Sequence, residues 1–143
     1  MERRDFVLRI PVVATGLLGA ASGLSLAACG GVPLLVPRGT ADRLVVAAAD
    51  VPPSGILLQL PEMEWPVYVR AEAGAAWVAL LARCTHRGCQ PDPVGDRLVC
   101  PCHGSEYDLL GRVLEGPAER PLTRFPVSVE GDDLVIVLTG GGR

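Results

Sequence analysis

From residue 43 onward, hydrophobic residues occur in short runs that are separated by residues typical of turns. The separators, among them PPSG, EAG, PVGD and EGDD, contain the Gly, Pro and Asp residues that favour tight turns and hairpins. No apolar stripe with the 3.6-residue period of a helix is present in this region. Strands and turns without helices predict an all-β fold, a small antiparallel sandwich or barrel. The predicted strands are 43–49, 55–60, 65–70, 75–82, 96–100, 125–130 and 133–138.

The N-terminal segment has a different pattern. Arg3 and Arg4 precede an uncharged apolar run of 19 residues from Ile10 to Ala28. A basic start before an apolar run is typical of an export signal or membrane anchor, and RRDFV is similar to the twin-arginine consensus. As a helix the run would be about 28 Å long, enough to cross a bilayer. Both interpretations place the rest of the chain on the extracytoplasmic side of the cell membrane.

The apolar run ends in LAAC at residues 26–29, which is similar to the lipobox of bacterial lipoproteins. Cys29 is therefore a lipidation candidate, with an uncleaved transmembrane helix as the alternative. The next residues, GGVPLLVPRGTAD at 30–42, carry the glycines and prolines of a connector. The sequence thus predicts a signal or anchor over 1–29, a linker over 30–42 and a folded domain over 43–143.

Composition narrows the possible functions. With 143 residues, 49% of them hydrophobic, the chain can build the core of one domain. With a net charge of −3, the chain has no overall positive charge that would attract the phosphate backbone of a nucleic acid. Neither GxxxxGK[ST] nor a GxGxxG after a strand is present, so no nucleotide-binding loop is predicted. Nucleic acid is therefore excluded as a partner.

Both histidines and four of the five cysteines lie in two short motifs, CTHRGC at 84–89 and CPCHGS at 100–105. The intervening residues are typical of a turn and a strand, so each motif is predicted to lie in a loop at a strand end, and the two loops can face each other. Three alternatives each leave some of these residues unexplained: a structural zinc module, a cysteine nucleophile paired with histidine, and a disulfide-rich loop with surface histidines. A binuclear iron–sulfur centre is favoured because it uses all six thiols and imidazoles.

The motifs and the residues after them, CTHRGC…CPCHGSEYD, resemble the signature of the Rieske iron–sulfur family, and the similarity covers about residues 43–138. The resemblance implies the Rieske antiparallel β-sandwich, a [2Fe–2S] cluster and a disulfide between Cys89 and Cys102. GPAERPL, centred on Pro117, resembles the proline loop that covers the cluster in this family. The cluster ligands that the resemblance implies are Cys84, His86, Cys100 and His103.

The resemblance also includes Ser105 and Tyr107 in the cofactor site. They stand where high-potential members of the family carry hydroxyl donors to sulfur. Two neutral imidazoles in place of thiolates remove negative charge from the irons, and Rieske potentials accordingly lie at roughly −150 to +300 mV. Imidazole nitrogens that face solvent should couple electron uptake to proton uptake, which suits a quinol as the electron donor.

The implied function is a membrane-attached electron-transfer protein, the iron–sulfur subunit of a quinol–cytochrome c reductase-like complex. Its partners would be a cytochrome b-type subunit, with which quinol oxidation is shared, and a c-type cytochrome as acceptor. Arg87 departs from the family, because quinol-oxidising members usually carry leucine there and a guanidinium is costly to bury in an apolar pocket. The alternative is a stand-alone Rieske carrier or the small subunit of an exported molybdenum oxidoreductase such as arsenite oxidase. Ferredoxins of ring-hydroxylating oxygenases fit less well, because they lack the disulfide pair.

Overall fold

The computed structural model describes residues 31–74 and 76–139. The predicted signal or anchor over 1–29, including the lipidation candidate Cys29, lies outside the described residues. Within the part of the chain that is described, no helix is long and apolar enough to cross a membrane.

The described chain consists of thirteen short strands and a single turn of 3₁₀ helix at Ala48–Asp50. The predicted all-β class is therefore observed. In chain order the strands are β1 Leu34–Leu35, β2 Arg38–Thr40, β3 Arg43–Ala47, β4 Ile56–Leu58, β5 Val67–Ala71, β6 Trp77–Leu81, β7 Asp92–Val94, β8 Arg97–Val99, β9 Glu106–Asp108, β10 Val113–Glu115, β11 Arg124–Phe125, β12 Val127–Glu130 and β13 Asp133–Val137.

The strands form three sheets. A five-stranded sheet has the order β1-β4-β5-β6-β11, and two four-stranded sheets have the orders β12-β13-β3-β2 and β10-β9-β8-β7. All pairings are antiparallel except that of β1 with β4, which is parallel. The sequence predicts a small sandwich, and the structure adds a third sheet, β7–β10, which carries part of the candidate site.

The five-stranded sheet lies between two hydrophobic clusters. On β5, Val67 and Val69 face a cluster shared with β3 and β13, whereas Tyr68 faces a second cluster shared with β8 and β9. Burial on both faces explains why the central strands are continuous apolar runs rather than alternating ones. Each fully buried aliphatic side chain contributes about 1.5–3 kcal/mol. The second cluster supports the two cysteine–histidine motifs.

Five strands lie outside the predicted set: β1, β2, β7, β9 and β10. β1 and β2 belong to the segment 30–42, for which the sequence predicts a linker. Leu57 N–H donates to the Pro33 carbonyl at 2.9 Å, and Pro37 is buried. Prolines are tolerated in edge strands because their missing N–H is not needed on the open side of the sheet. The Gly and Pro residues of this segment therefore indicated a linker although two short strands form in it.

Candidate metal centre

The two motifs form two loops, here called the first loop (84–89) and the second loop (100–105). The first loop follows β6 of the five-stranded sheet, and the second connects β8 with β9 of the third sheet. Their leading cysteines, Cys84 and Cys100, are 3% and 1% exposed and belong to the second hydrophobic cluster. The fold therefore brings the two motifs from different sheets to one site.

The first loop is closed by its own main chain. Cys84 N–H donates to the Cys89 carbonyl at 2.7 Å, and Gly88 N–H donates back to the Cys84 carbonyl at 2.8 Å. Gly88 has φ of 79°, a left-handed conformation that costs a residue with a Cβ about 1–2 kcal/mol. A glycine at this point lets the chain turn back toward its starting cysteine.

The second loop repeats the same hydrogen-bond pattern. Cys100 N–H donates to the Ser105 carbonyl at 2.8 Å, and Gly104 N–H donates to the Cys100 carbonyl at 3.0 Å. Gly104 has φ of 75°, close to the value at Gly88. Both loops are thus built on one backbone scaffold, in which a buried cysteine opens the loop and a left-handed glycine follows four residues later.

A disulfide between Cys89 and Cys102 joins the loops, with their Cα atoms 6.5 Å apart. The disulfide that the family resemblance implies is therefore present. The sulfur atom of Cys100 lies within 4.8 Å of both disulfide sulfurs. These three sulfurs do not form a three-ligand metal site, because two of them are already bonded to each other.

Among the described cysteines, Cys84 and Cys100 remain as free thiols. Burial raises the pKa of the Cys84 thiol, but hydrogen bonds to its sulfur lower the pKa by more, so that it lies below the usual value. The donors, in order of effect, are the Tyr107 hydroxyl, the main-chain N–H of His86, the Cys100 thiol and the Ser105 hydroxyl.

The Cys100 thiol differs in its surroundings. Its pKa is raised, first by burial and then by its hydrogen bond to Cys84, and the main-chain N–H groups of Cys102 and His103 offset only part of this. A bound metal deprotonates coordinating thiols outright. Two buried free thiols, of which Cys84 has the lowered pKa and Cys100 the raised one, therefore fit a metal–sulfur group.

The two histidines form a second pair, each in the same loop as one of the free thiols. The ring centroids of His86 and His103 are 4.7 Å apart, and the rings are perpendicular. His103 is exposed, whereas His86 is partly buried and its Nδ1 atom is buried without a hydrogen-bond partner. An unsatisfied buried polar atom costs about 1–3 kcal/mol. An orphaned imidazole nitrogen beside two free thiols fits a site that is completed by a bound group.

Tyr107, on β9, connects the third sheet to the first loop. Its hydroxyl oxygen lies 3.2 Å from the sulfur of Cys84 and accepts from the main-chain N–H of Thr85 at 3.1 Å. An ionised Cys84 can only accept, so the Tyr107 hydroxyl is then the donor. The Tyr107 ring is fully buried, which holds its hydroxyl in position.

Ser105 is the fully buried polar residue of the described core. Its hydroxyl oxygen accepts from the main-chain N–H of Ala118 at 3.0 Å, which leaves its own proton free for the sulfur of Cys84. Ser105 therefore ties the second loop both to the first cysteine and to the segment 116–122, here called the covering segment.

The covering segment lies against the first loop. The Thr85 hydroxyl donates to the carbonyl of Arg120 at 2.6 Å. Pro117 lines a small hollow together with Thr85, His86, Glu119 and Arg120. The segment predicted from GPAERPL to cover the cluster thus contacts the loop that carries Cys84 and His86.

Sequence reasoning did not include Thr85, Gly88, Gly104 or the main chain of Ala118 in the site. The glycines could have been found by aligning the two motifs, because each has glycine four residues after its first cysteine. No sequence signal indicates the Thr85–Arg120 contact, since the two residues are 35 positions apart.

Comparison with known proteins identifies relatives. The family model of the Rieske [2Fe-2S] domain matches residues 29–126. The chain is 34% identical over 137 residues to the cytochrome b6-f complex iron-sulfur subunit of Chlorobaculum thiosulfatiphilum, covering 94% of this chain and 75% of that protein. It is 40% identical over 89 residues to the carotenoid phi-ring synthase of Chlorobaculum tepidum, covering 61% of this chain and 14% of the synthase.

A solved structure supports the fold. The plasma membrane Rieske protein of the cyanobacterium Synechocystis PCC 6803 superposes with a TM-score of 0.51 at 32% identity, covering 58% of this chain and 85% of that one. These findings confirm the all-β Rieske fold and a [2Fe–2S] cluster as the cofactor. They favour the iron–sulfur interpretation over a structural zinc module.

Proposed function

The chain belongs to the Rieske [2Fe–2S] family of iron–sulfur electron-transfer proteins, and we propose that it is the membrane-attached iron–sulfur subunit of a quinol–cytochrome c reductase-like complex. The observation that carries the proposal is the pairing of buried thiols with adjacent imidazoles on two disulfide-joined loops. The cytochrome b6-f subunit of Chlorobaculum thiosulfatiphilum supports it as a relative that aligns over most of both chains.

We assign the cluster ligands to the two pairs. Cys84 and Cys100 are the free thiols, and His86 has the unpartnered buried nitrogen expected of a ligand. His103 completes the set through its proximity to His86. When bound, the cluster takes up and returns one electron at a potential raised by its two neutral ligands.

The remaining residues of the site position and tune these ligands. The Tyr107 and Ser105 hydroxyls donate toward the sulfur of Cys84, which stabilises added negative charge there and raises the reduction potential. The Thr85 hydroxyl holds the covering segment against the first loop and the Ser105 hydroxyl holds it against the second, which limits the access of water. His103 is exposed, so the imidazole pair is open to solvent on its side.

A quinol donor is supported by the exposed imidazole of His103, whose ring nitrogens can form hydrogen bonds with a quinol that approaches from outside the fold. Arg87, exposed in the first loop, favours the second candidate, a stand-alone carrier or the small subunit of an exported molybdenum oxidoreductase. Docking the first loop into an apolar quinol pocket would bury this guanidinium at high cost unless a partner carboxylate pairs with it.

A redox titration of the full chain, followed by electron paramagnetic resonance at several pH values, tests the proposal. A high potential that falls as the pH rises supports a proton-coupled centre suited to quinol. A low or pH-independent potential favours the second candidate. Absence of an iron–sulfur signal in the iron-reconstituted protein contradicts the ligand assignment.

Membrane attachment through residues 1–29 is part of the proposal and needs its own test. Intact-mass analysis of the protein extracted from membranes distinguishes a lipidated Cys29 from an uncleaved N-terminus. Recovery of the protein only in the soluble extracytoplasmic fraction would contradict attachment.

A further inference from the structure

An open groove of about 1160 Å³ borders the first loop and continues along residues 120–126. Cys84 and His86 reach its wall, so the groove adjoins the proposed cluster site directly. Its lining is unusually basic for a chain with net charge −3. The arginines that line it are Arg83, Arg87, Arg120 and Arg124.

Three of these arginines form no ion pair with the residues that the structure describes. Among the described residues, the arginines with a carboxylate within 4.0 Å are Arg38, Arg43, Arg97, Arg112 and Arg124. Arg83 instead lies over the ring of Trp65 at 5.9 Å, and Arg87 and Arg120 have exposed side chains. The unpaired guanidinium groups are thus available to a ligand from outside.

The carboxylates near the groove neutralise little of this charge. None of the described residues that line it is acidic. Glu72 reaches Arg124 only at 3.6 Å, and Glu119 lines the neighbouring hollow rather than the groove. The positive charge is therefore concentrated on one side of the first loop.

We propose that this arginine groove is the docking surface for an acidic electron-transfer protein. The inference rests on the proposed function and specifies the chemistry of its partner. Small-molecule sites usually enclose most of their ligand, whereas this groove is open and rimmed by long, exposed cationic side chains. Such a rim matches an acidic protein surface, because complementary charge steers encounter and sets orientation without deep burial. Docking here brings the partner to His86.

The experiment measures the second-order rate constant of electron transfer from the reduced, cluster-loaded full chain to two soluble c-type cytochromes of opposite net charge. The test variant is Arg87→Gln with Arg120→Gln. The matched control is Arg38→Gln with Arg43→Gln, which changes the net charge equally on the sheet that contains β2 and β3. Each rate is measured over a series of salt concentrations.

We expect the test variant to react about tenfold more slowly with the acidic cytochrome at low ionic strength, as steering by local charge predicts. The difference should shrink as salt is added, and the control variant should react at the wild-type rate. The rate with the basic cytochrome should not fall in the test variant. Equal slowing of both variants, or slowing of neither, overturns the proposal.

Two further measurements distinguish a failed docking surface from a missing cluster and from lipid binding. The paramagnetic resonance spectrum and the reduction potential are recorded for the wild type and for each variant. A wild-type protein without the cluster signal contradicts the proposed function. A normal cluster signal with unchanged electron-transfer rates in the test variant contradicts the docking surface alone. Sedimentation with vesicles of phosphatidylglycerol and phosphatidylcholine tests whether the arginine groove binds a lipid surface instead of a protein. Vesicle binding lost only in the test variant, with its cytochrome rates unchanged, overturns the proposal in favour of lipid.

Discussion

The first and second loops share a backbone but differ in their surroundings. In each, the leading cysteine donates to the carbonyl five residues later and accepts from the glycine four residues later. Yet the first loop lies under the covering segment, while residues 101–104 of the second loop are exposed. The same scaffold therefore presents its two cysteines to different environments.

The different surroundings shift the pKa values of the two thiols in opposite directions. The Tyr107 and Ser105 hydroxyls both act on Cys84, and the pKa of that thiol is lowered, whereas the pKa of Cys100 is raised. Hydrogen bonds, rather than burial, distinguish the two, because both residues are almost fully buried. Loop backbone geometry therefore positions each cysteine, whereas side chains from neighbouring elements determine the electrostatics at its sulfur.

Removing the disulfide should have the largest effect, because it is the covalent link between the loops. For the double substitution Cys89→Ser with Cys102→Ser, we expect the free energy of unfolding to fall by about 2–4 kcal/mol. Urea unfolding of oxidised wild type, reduced wild type and the variant measures this. Reduced wild type should behave as the variant does, and equal stability of all three forms would show that the loops hold together without the bond.

Substituting each loop glycine tests whether the two scaffolds are equivalent. Gly88→Ala and Gly104→Ala should each cost about 1–2 kcal/mol, because both positions are left-handed. An added Cβ meets nothing within 4 Å at Gly104 and only ordinary contacts at Gly88, so backbone strain should dominate at both. Thermal unfolding measures the two costs. If only one of the two substitutions destabilised the protein, the two loops would differ in backbone strain despite their shared hydrogen-bond pattern.

Removing the Tyr107 or the Ser105 hydroxyl tests whether hydrogen bonds to the sulfur of Cys84 tune the site. Tyr107→Phe and Ser105→Ala should each lower the reduction potential by tens of millivolts, since a hydrogen bond to a charged acceptor is worth about 1.5–3 kcal/mol. A redox titration of each holoprotein measures the shift. Thr123→Val, which removes a hydroxyl of the arginine groove rather than one beside Cys84, is the control and should leave the potential unchanged. An unchanged potential in both hydroxyl variants would contradict a tuning role.

The smallest effect is expected at Asp108, at the turn between β9 and β10 that supports Tyr107. Burial raises the pKa of this carboxyl, but hydrogen bonds from the Arg112 main chain and side chain and from Leu110 N–H lower it by more. The lowered pKa stabilises the fold above the ordinary carboxyl pKa of about 3.9, and this stabilisation is lost as the pH falls through the folded-state value.

Asp108→Asn should therefore cost up to about 1 kcal/mol at neutral pH, because the ion pair with Arg112 is partly exposed. The difference from wild type should shrink as the pH falls through the lowered folded-state pKa of Asp108. Denaturant unfolding across pH measures it. A difference that persists in acid would assign the role of Asp108 to its neutral hydrogen bonds rather than to its charge.

Much of the fold was predictable from local pattern. The runs at 43–49, 65–70 and 133–138 coincide with β3, β5 and β13, because strand formation there depends on apolar residues bounded by turn residues. β1 and β9 were not predicted. One is flanked by prolines, and the other follows directly after the second loop and shows no apolar run.

Which side chains can form the candidate site is readable from the sequence, because both histidines and four of five cysteines lie in two motifs with matched glycines. Which groups act on those side chains depends on the folded structure. The Tyr107–Cys84, Ser105–Ala118 and Thr85–Arg120 contacts join residues 13 to 35 positions apart. Motif spacing encodes local chain geometry, whereas contacts across sheets depend on how separate strands pack on a shared core.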